Sequence, residues 1–357
     1  MQTETPTIKK YLPIVTYLLG FICFVIIVYI LMALKEILIP VTIAVFLTYL
    51  FHPLMKYLSK FKIPAWVSLI IILLVISGIY YLLGLMLFST YNTFSEKLSY
   101  YSENMTVFFQ MILNPFNLTV REVALWLDIR LQDLKVETLI QKMFDAGVIQ
   151  SVFNSFSSLL GDFFISIIFW VFMIMGKEKF EDRLKFAFSN EKERVEENLN
   201  SINTQLQSYI IIKTIISLTT GIVFTIILLS FGVDFALMWG VLAFVLNYIP
   251  NIGSLIATLF PIIVSTIQYG FGIHTISMSV LLILTQNIIG NFIEPNFLGR
   301  KLDLSPVFVL FSLIFWGWVW GIAGMFLAVP IAALMKIFAN NITSLKPIAI
   351  LMGTKAE

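Results

Sequence analysis

Charged residues, cysteine and histidine are scarce in this sequence, and each shortage excludes a class of protein. Only 12% of the 357 residues are charged, against about 25% in a globular protein. The single cysteine, Cys23, permits no intramolecular disulfide and no thiolate metal site. His52 and His274 lie far apart, without a histidine or carboxylate at ligand spacing. We therefore predict packed histidine side chains, no metal site and no cofactor.

Motifs for nucleotide hydrolysis and for serine or zinc catalysis are also missing. The chain contains no G-x-x-x-x-G-K-[ST], no G-x-S-x-G and no H-E-x-x-H segment. The formal net charge is +2, and basic residues are dispersed among acidic ones, which argues against a nucleic-acid partner. These absences predict a protein that is not an enzyme.

Long apolar runs take the place of the missing charge. Hydrophobic residues make up 59% of the chain, and the mean hydropathy is +0.93. Runs of spanning length predict an all-α, polytopic integral membrane protein with about eight membrane segments in a lipid bilayer. The first run is too long for a cleavable signal peptide, so we expect an uncleaved helix. The clear helices cover residues 11–34, 37–58, 63–91, 152–176, 207–230 and 273–293.

Two further apolar regions, residues 235–268 and 305–339, are each too long for one span and short for two. The first is interrupted at Asn247 to Gly253, and the second at the glycine cluster Gly317, Gly321 and Gly324. We predict that each is a hairpin-like or re-entrant region, with halves of roughly 15 to 17 residues. Gly317 and Gly321 form a G-x-x-x-G pair, which predicts a close helix-packing face.

The apolar runs and the polar segments between them divide the chain into regions. We predict an N-terminal three-helix membrane region at 1–91, an extracytoplasmic amphipathic helical segment at 92–151 and a fourth transmembrane helix at 152–176. A cytoplasmic charged helix at 177–206 is expected to run on into the next span. A C-terminal transport region with the two breaks follows at 207–345, and a cytoplasmic tail at 346–357.

Lysine and arginine in short loops predict the orientation. Lys9 and Lys10 precede the first helix, and Lys56, Lys60 and Lys62 lie between the second and third, whereas the first loop has only Lys35. Both termini are therefore expected in the cytoplasm, in a multi-pass protein of the plasma membrane.

This orientation is testable by cysteine labelling. A single cysteine placed near Asp128, with Cys23 removed, is expected to react with an impermeant reagent in intact cells, because that segment should face outward. A cysteine near Lys60 serves as the matched cytoplasmic control. Reaction near Asp128 only after lysis would contradict the orientation.

A polar stripe crosses the apolar run before Pro295. Gln286, Asn287, Gly290, Asn291 and Glu294 recur at helical spacing, so one face carries amides and a carboxylate. Lipid does not solvate such groups, and intramembrane polar residues usually face a protein interior or a watery cavity. The stripe predicts a solute pathway, and interhelical hydrogen bonding is the alternative.

Two prolines interrupt helices beside polar residues. A proline has no N–H, so Pro250 is expected to leave the Leu246 carbonyl without its helical donor, and Pro295 to do the same to Asn291. In transporters, broken helices turn such groups toward a substrate or ion. Asn247 and Asn251, on either side of Pro250, therefore join the candidate pathway.

Two segments resemble the signature regions of the autoinducer-2 exporter family. They are VLNYIPNIGSLIATLFP, from Val245 to Pro261, and the longer NFIEPNFLGRKLDLSPVFVLFSLIFWGWVWGIAGMFLAVPIAALMKI. The matching positions are Asn247, Pro250, Asn251 and Gly253 in the first, and Glu294, Pro295, Gly299, Pro306, Gly321, Gly324 and Pro330 in the second. Asn251 stands where members of the family often have an aromatic residue.

The resemblance implies a homo-oligomeric membrane carrier, in pentamers, with some members exporting autoinducer-2 and others exchanging sodium for protons. We expect export of a small polar solute by alternating access, with the amides binding its hydroxyls. The matched motifs contain no buried cation, which fits a neutral solute, and Lys213 and Asp234 are expected near the membrane faces.

Two alternatives remain open. In the first, the protein is a sodium-proton antiporter in which Glu294 alternates between a proton and a cation. The structural explanation for Glu294 is a salt bridge to Arg300 or Lys301. In the second, the protein is a membrane scaffold without transport.

Overall fold

The computed structural model describes residues 6–116, 161, 163–176, 183, 186–187, 192–298, 304–341 and 345–353. Most of the expected extracytoplasmic segment, the start of the expected cytoplasmic helix, and Gly299, Arg300 and Lys301 lie outside these residues. The described helices are α1 (Pro6–Ala33), α2 (Lys35–Lys60), α3 (Ala65–Glu96), α4 (Leu98–Leu113), α5 (Phe163–Gly176), α6 (Lys192–Ser230), α7 (Ala236–Leu246), α8 (Ile252–Tyr269), α9 (Ile273–Ile288), α10 (Glu294–Leu298), α11 (Pro306–Asn341) and α12 (Lys346–Met352).

The prediction of an all-α polytopic membrane protein is confirmed. Within the described ranges, 7 helices are long and apolar enough to cross a membrane, and the chain there forms no β-strand. Two shorter apolar helices, α5 and α7, accompany them. The long helices expose many large apolar side chains, as helices in contact with lipid or with other subunits do.

From Lys192 onward, the charged segment continues into the next span as one helix, α6. It contains 39 residues, which corresponds to a length of about 58 Å at 1.5 Å per residue. A hydrocarbon core of about 30 Å covers only half of that length. The helix therefore extends well beyond the bilayer at its charged N-terminal end.

Hairpin 1 consists of α7, the turn at residues 247–251, and α8. The helices lie side by side, since the rings of Trp239 and Phe260 stack with centroids 6.0 Å apart. A Cβ atom on Gly253 would lie only 1.8 Å from the Leu246 carbonyl oxygen, so glycine is required for this close approach. The break is confirmed, but its halves are unequal, because α7 has 11 residues and α8 has 18.

Hairpin 2 consists of the two halves of α11, which reverse direction at Gly321. Gly321 has φ 64° and ψ −141°, a conformation that residues with a Cβ rarely adopt. Ser312 Oγ donates a hydrogen bond to the Ala328 carbonyl across the hairpin, at 2.9 Å. The prediction that Gly317 and Gly321 form one packing face is wrong. Gly321 is the turn itself, whereas Gly317 lies before the turn and faces the Met325 side chain of the returning half.

The turn of hairpin 1 packs against the helical halves of hairpin 2. Ile249, in the turn of hairpin 1, lies in one buried cluster with Leu313 and Trp316 of hairpin 2. Beside it, the Tyr248 and Phe326 rings have centroids 4.5 Å apart. Helix α7 covers only about 16 Å, which is shorter than a hydrocarbon core of about 30 Å, and the turn that follows it packs against hairpin 2 in the interior of the protein.

An ion pair ties the base of hairpin 1 to α3 and α4. Lys97 Nζ donates to both carboxylate oxygens of Asp234, each at 2.7 Å, and the Tyr101 hydroxyl donates to the same carboxylate at 2.7 Å. Burial, and then the hydrogen bond to Asp234, raise the pKa of the Tyr101 hydroxyl. The Gln268 side chain accepts the Asp234 backbone N–H at 3.0 Å, which adds α8 to the cluster.

Removing this ion pair is expected to loosen hairpin 1. The Lys97→Met variant should melt a few degrees lower, because a half-exposed charged hydrogen bond contributes about 1 kcal/mol. Lys60→Met, at the exposed end of α2, is the matched control. Thermal unfolding of the detergent-solubilised protein measures both, and equal melting temperatures for the two variants would contradict the role of the pair.

Candidate transport site

A cleft of about 570 Å³ lies between the turn of hairpin 1, helix α9 and helix α6. This volume is within the range of small-molecule sites. The cleft brings together every polar residue that the sequence nominated for the pathway: Asn247, Asn251, Gln286, Asn287, Asn291 and Glu294. A neighbouring cavity of about 380 Å³ shares Asn251 and Glu294 and reaches Leu313 of hairpin 2.

The turn of hairpin 1 forms one wall of this cleft. Asn251 has φ 60°, and asparagine tolerates this sparsely populated region better than most residues. The expectation that Pro250 leaves the Leu246 carbonyl free is wrong, because the Ile249 N–H donates to that carbonyl at 2.9 Å. The chain has already turned before Pro250, so the proline fixes the shape of the turn rather than freeing an acceptor.

A π-helical turn, Ile289–Ile293, forms the opposite wall, between α9 and α10. Such turns occur often at functional sites because they widen the helix locally. Gly290 and Asn291 lie within it, and Glu294 and Pro295 follow directly. Both Glu294 and Pro295 line the second cavity. The polar stripe therefore ends in an irregular helix segment beside the turn of hairpin 1.

Hydrogen bonds link the amides of the cleft across α6, α9 and the turn of hairpin 1. Asn247 Nδ2 donates to Ser217 Oγ of α6 at 3.0 Å, and Gln286 Nε2 of α9 approaches Asn247 Oδ1 at 3.5 Å. Along α9, Asn291 Nδ2 donates to Asn287 Oδ1 at 3.1 Å. The Gln286 Oε1 atom is buried without a partner in the described part of the chain. This network links the polar residues of the cleft to α6 and leaves the Gln286 carbonyl oxygen unsatisfied.

Lys213 is the residue that sequence reasoning missed. Its Nζ donates to Glu294 Oε1 at 2.5 Å, and its side chain is only 4% exposed, whereas that of Glu294 is 23% exposed. Lys213 is therefore enclosed by the protein rather than exposed at its surface. Because α6 is so long, Lys213 lies near its middle, facing the cleft.

A polar stripe on α6 is the sequence signal that could have located Lys213. Lys213, Ser217 and Thr220 recur at helical spacing, and all three are buried. Glu294 pairs with Lys213, whereas Arg300 and Lys301, its alternative partners in the sequence analysis, lie outside the described residues. A buried cation is thus present at the site although the signature motifs contain none.

The histidines lie away from this cleft. The His274 ring packs between the rings of Phe231 and Tyr269, with centroids 5.2 Å and 4.3 Å away. Within the described ranges, no group of three or more histidine, cysteine, aspartate or glutamate residues is placed to hold a metal ion.

Apolar spanning helices, two hairpins that pack against each other, and a polar cleft beside the turn of the first are the features of a multi-pass membrane transporter. The chain belongs to the AI-2E family of transporters, whose sequence profile matches residues 21–344.

Relatives match along nearly the whole chain. The AI-2 transport protein TqsA of Escherichia coli is 29% identical over 324 residues, which cover 89% of this chain and 90% of TqsA. A Haemophilus influenzae protein, provisionally named a transport protein, is 29% identical over 332 residues, which cover 89% of this chain and 90% of that protein. The Escherichia coli protein YhhT, named provisionally in the same way, is 27% identical over 326 residues, with 90% and 89% covered.

Proposed function

We propose that this protein exports a small polar solute such as autoinducer-2 by alternating access, with the cleft as its binding site. The observation that carries this proposal is the convergence of six polar residues, from two segments of the chain, on one cleft between apolar helices. Similarity to TqsA, which is named for AI-2 transport, supports the solute class.

The chemistry of the cleft suits a neutral molecule with several hydroxyl groups. Side-chain amides both donate and accept hydrogen bonds, so they bind hydroxyls of either orientation. Gln286 lines the cleft, and its Oε1 is buried without a partner among the described residues, which is unfavourable inside a membrane. Rotation of this amide toward the cleft would let a solute hydroxyl satisfy the atom.

The two hairpins provide a means of alternating access. Each ends within the protein, at residues 247–251 and at Gly321, and the cleft lies beside the turn of the first. A small displacement of hairpin 1 relative to α9 would change which side of the cleft is open. Transporters commonly bind their solutes at such interrupted helices near the bilayer midplane.

Flux measurements in sealed vesicles test the solute assignment. Purified protein is expected to move autoinducer-2, whereas vesicles without protein should not. Ser59→Ala, an exposed change far from the cleft, is the control variant and should match wild type. A sodium-driven pH change without autoinducer-2 flux would overturn the proposal in favour of antiport. Absence of both signals from a folded oligomer would favour the scaffold.

Sodium-proton antiport is the second candidate, and the position of Glu294 favours it. The carboxylate lines both cavities, directly after the π-helical turn, where it is within reach of an ion. However, its Oε1 is occupied by Lys213, so a sodium ion would have to displace the ammonium group.

We also propose that the protein forms a homo-oligomer, with a pentamer as the expected stoichiometry, in the plasma membrane with both termini in the cytoplasm. Helix α1 offers a surface for contacts between subunits, because its Tyr17 and Tyr29 side chains are 79% and 72% exposed. Mass measurement in detergent tests the stoichiometry.

Pro250 is expected to hold the turn in its transport-competent shape. Replacing it by alanine should reduce flux several-fold, because the fixed φ of proline restricts the turn between Asn247 and Asn251. Helicity and oligomer size should not change. Pro64→Ala, at the start of α3, is the matched control. Unchanged flux in Pro250→Ala would make the turn a packing detail.

A further inference from the structure

Two residues determine the net charge of the cleft. Among the described residues that line the two cavities, Lys213 and Glu294 carry charge, and the others are neutral. They come from different helical segments, since Lys213 lies on α6 and Glu294 follows the π-helical turn. Their contact therefore bridges opposite walls of the site and brings its net charge to zero.

The two partners are unequally accessible. Lys213 is buried beneath Glu294, and Glu294 Oε1 is the hydrogen-bond acceptor of its ammonium group among the described residues. Lys213 and Glu294 both line the cleft, and the ammonium has three N–H donors, of which this contact uses one. Ser217, one turn away on α6, holds Asn247. The cation is thus part of the same wall that positions the amides.

We propose that Lys213 is a specificity-determining residue, whose pairing with Glu294 makes the cleft select uncharged polar solutes. This inference rests on the transport function proposed above. A charged solute must compete with a partner that is already in place: an anion competes with Glu294 for the ammonium, and a cation competes with Lys213 for the carboxylate. The paired cleft excludes both, whereas hydroxyl groups bind the amides without separating the charges.

The physical reason is the low dielectric of the site. Two opposite charges in contact interact far more strongly there than in water, and removal of one leaves the other uncompensated. Such a lone charge recruits a counter-ion. Loss of the carboxylate should therefore turn the cleft into an anion site, and loss of the ammonium should turn it into a cation site.

Three variants in sealed vesicles test this inference: Glu294→Gln, Lys213→Met and the double variant. Chloride flux should rise about tenfold in Glu294→Gln, and sodium flux should rise similarly in Lys213→Met, a change equivalent to ~1.4 kcal/mol. The double variant, whose cleft is again neutral, should show neither ion flux. It should also recover autoinducer-2 flux above that of either single variant.

A binding measurement provides a readout that a purely structural ion pair would not change. Chloride, compared with gluconate, should raise the melting temperature of Glu294→Gln and leave that of the double variant unchanged. If Glu294→Gln does not assemble, sodium flux and sodium-dependent melting of Lys213→Met test the same inference. Absence of new ion selectivity in the assembled single variants, or ion flux in the double variant equal to theirs, would overturn it.

The solute assignment and this inference fail in different ways. A wild-type protein that does not move autoinducer-2 would overturn the proposed solute, while the chloride and sodium results would still decide the role of the pair. Conversely, the wild-type protein could move autoinducer-2 while neither single variant gains ion selectivity. That result would support the proposed solute and show that the ion pair does not determine selectivity.

Discussion

Replacement of Glu294 by glutamine is expected to lower solute flux more than about tenfold, equivalent to ~1.4 kcal/mol, while the protein still assembles. Glutamine preserves the size of the side chain and its hydrogen bonding. It removes the charge that balances Lys213, whose side chain is almost completely buried. Breaking a buried ion pair from one side costs about 3–5 kcal/mol in soluble proteins, because the remaining charge has no partner. Vesicle flux and size-exclusion chromatography measure the two effects separately.

Glu36→Gln is the matched control for this experiment. Glu36 lies exposed in the first turn of α2 and does not line the cleft, so its variant should transport like wild type. Loss of assembly in Glu294→Gln, rather than loss of flux, would give the ion pair a structural role. Wild-type flux with unchanged pH dependence would remove Glu294 from the mechanism.

The double variant Lys213→Met with Glu294→Gln separates export from antiport. If the pair only neutralises the cleft, removing both charges should restore flux relative to Glu294→Gln alone. If Glu294 carries a proton or a sodium ion, the double variant has no carrier and should be as inactive as the single one. Persistent inactivity of the double variant would therefore strengthen the antiport alternative.

Gly253→Val is expected to disrupt hairpin 1 and abolish transport. A Cβ atom at this position would approach the Leu246 carbonyl oxygen to 1.8 Å and the Ile249 Cβ to 3.1 Å, so the turn must shift. Overpacking of this kind costs about 1–3 kcal/mol, and the shift would displace Asn247 and Asn251 from the cleft. Flux should fall to background, and the melting temperature should drop.

Gly84→Val in α3 is the matched control, because no atom lies within 4 Å of the Cβ position there. Its flux should stay near the wild-type value. Comparable losses in both variants would indicate a general sensitivity of the helices to valine. Wild-type flux in Gly253→Val would show that hairpin 1 accommodates the side chain and that its turn does not set the transport geometry.

Local sequence patterns predicted the helices and the place of each break. Apolar runs of spanning length become helices because the bilayer leaves backbone groups no other partners. Asn247 to Gly253 and the glycine cluster around Gly321 interrupt those runs, and the chain turns at both places. The spacing from Gln286 to Glu294 also places these residues at the cleft, since their common face follows from the helical repeat alone.

The finer geometry of the breaks was beyond such patterns. The Leu246 carbonyl accepts a hydrogen bond from Ile249, because the chain curls tightly before Pro250. Gly317 and Gly321 do not share one face, because Gly321 is the turn itself and Gly324 then approaches the Trp316 carbonyl oxygen. A break in the apolar run shows where a helix ends. The path of the turn depends on the residues against which the following helix packs.

The sequence by itself determined the class of protein, the positions of the two hairpins and the polar face of α9, because each follows from contacts among residues close together in the chain. Only the tertiary structure decided that Lys213 pairs with Glu294, 81 positions away. Charge in the middle of an apolar helix is equally compatible with a site near a membrane face and with a buried partner. The choice depends on the packing of the segment around Glu294 against α6, which brings the ammonium and the carboxylate together in the interior of the protein.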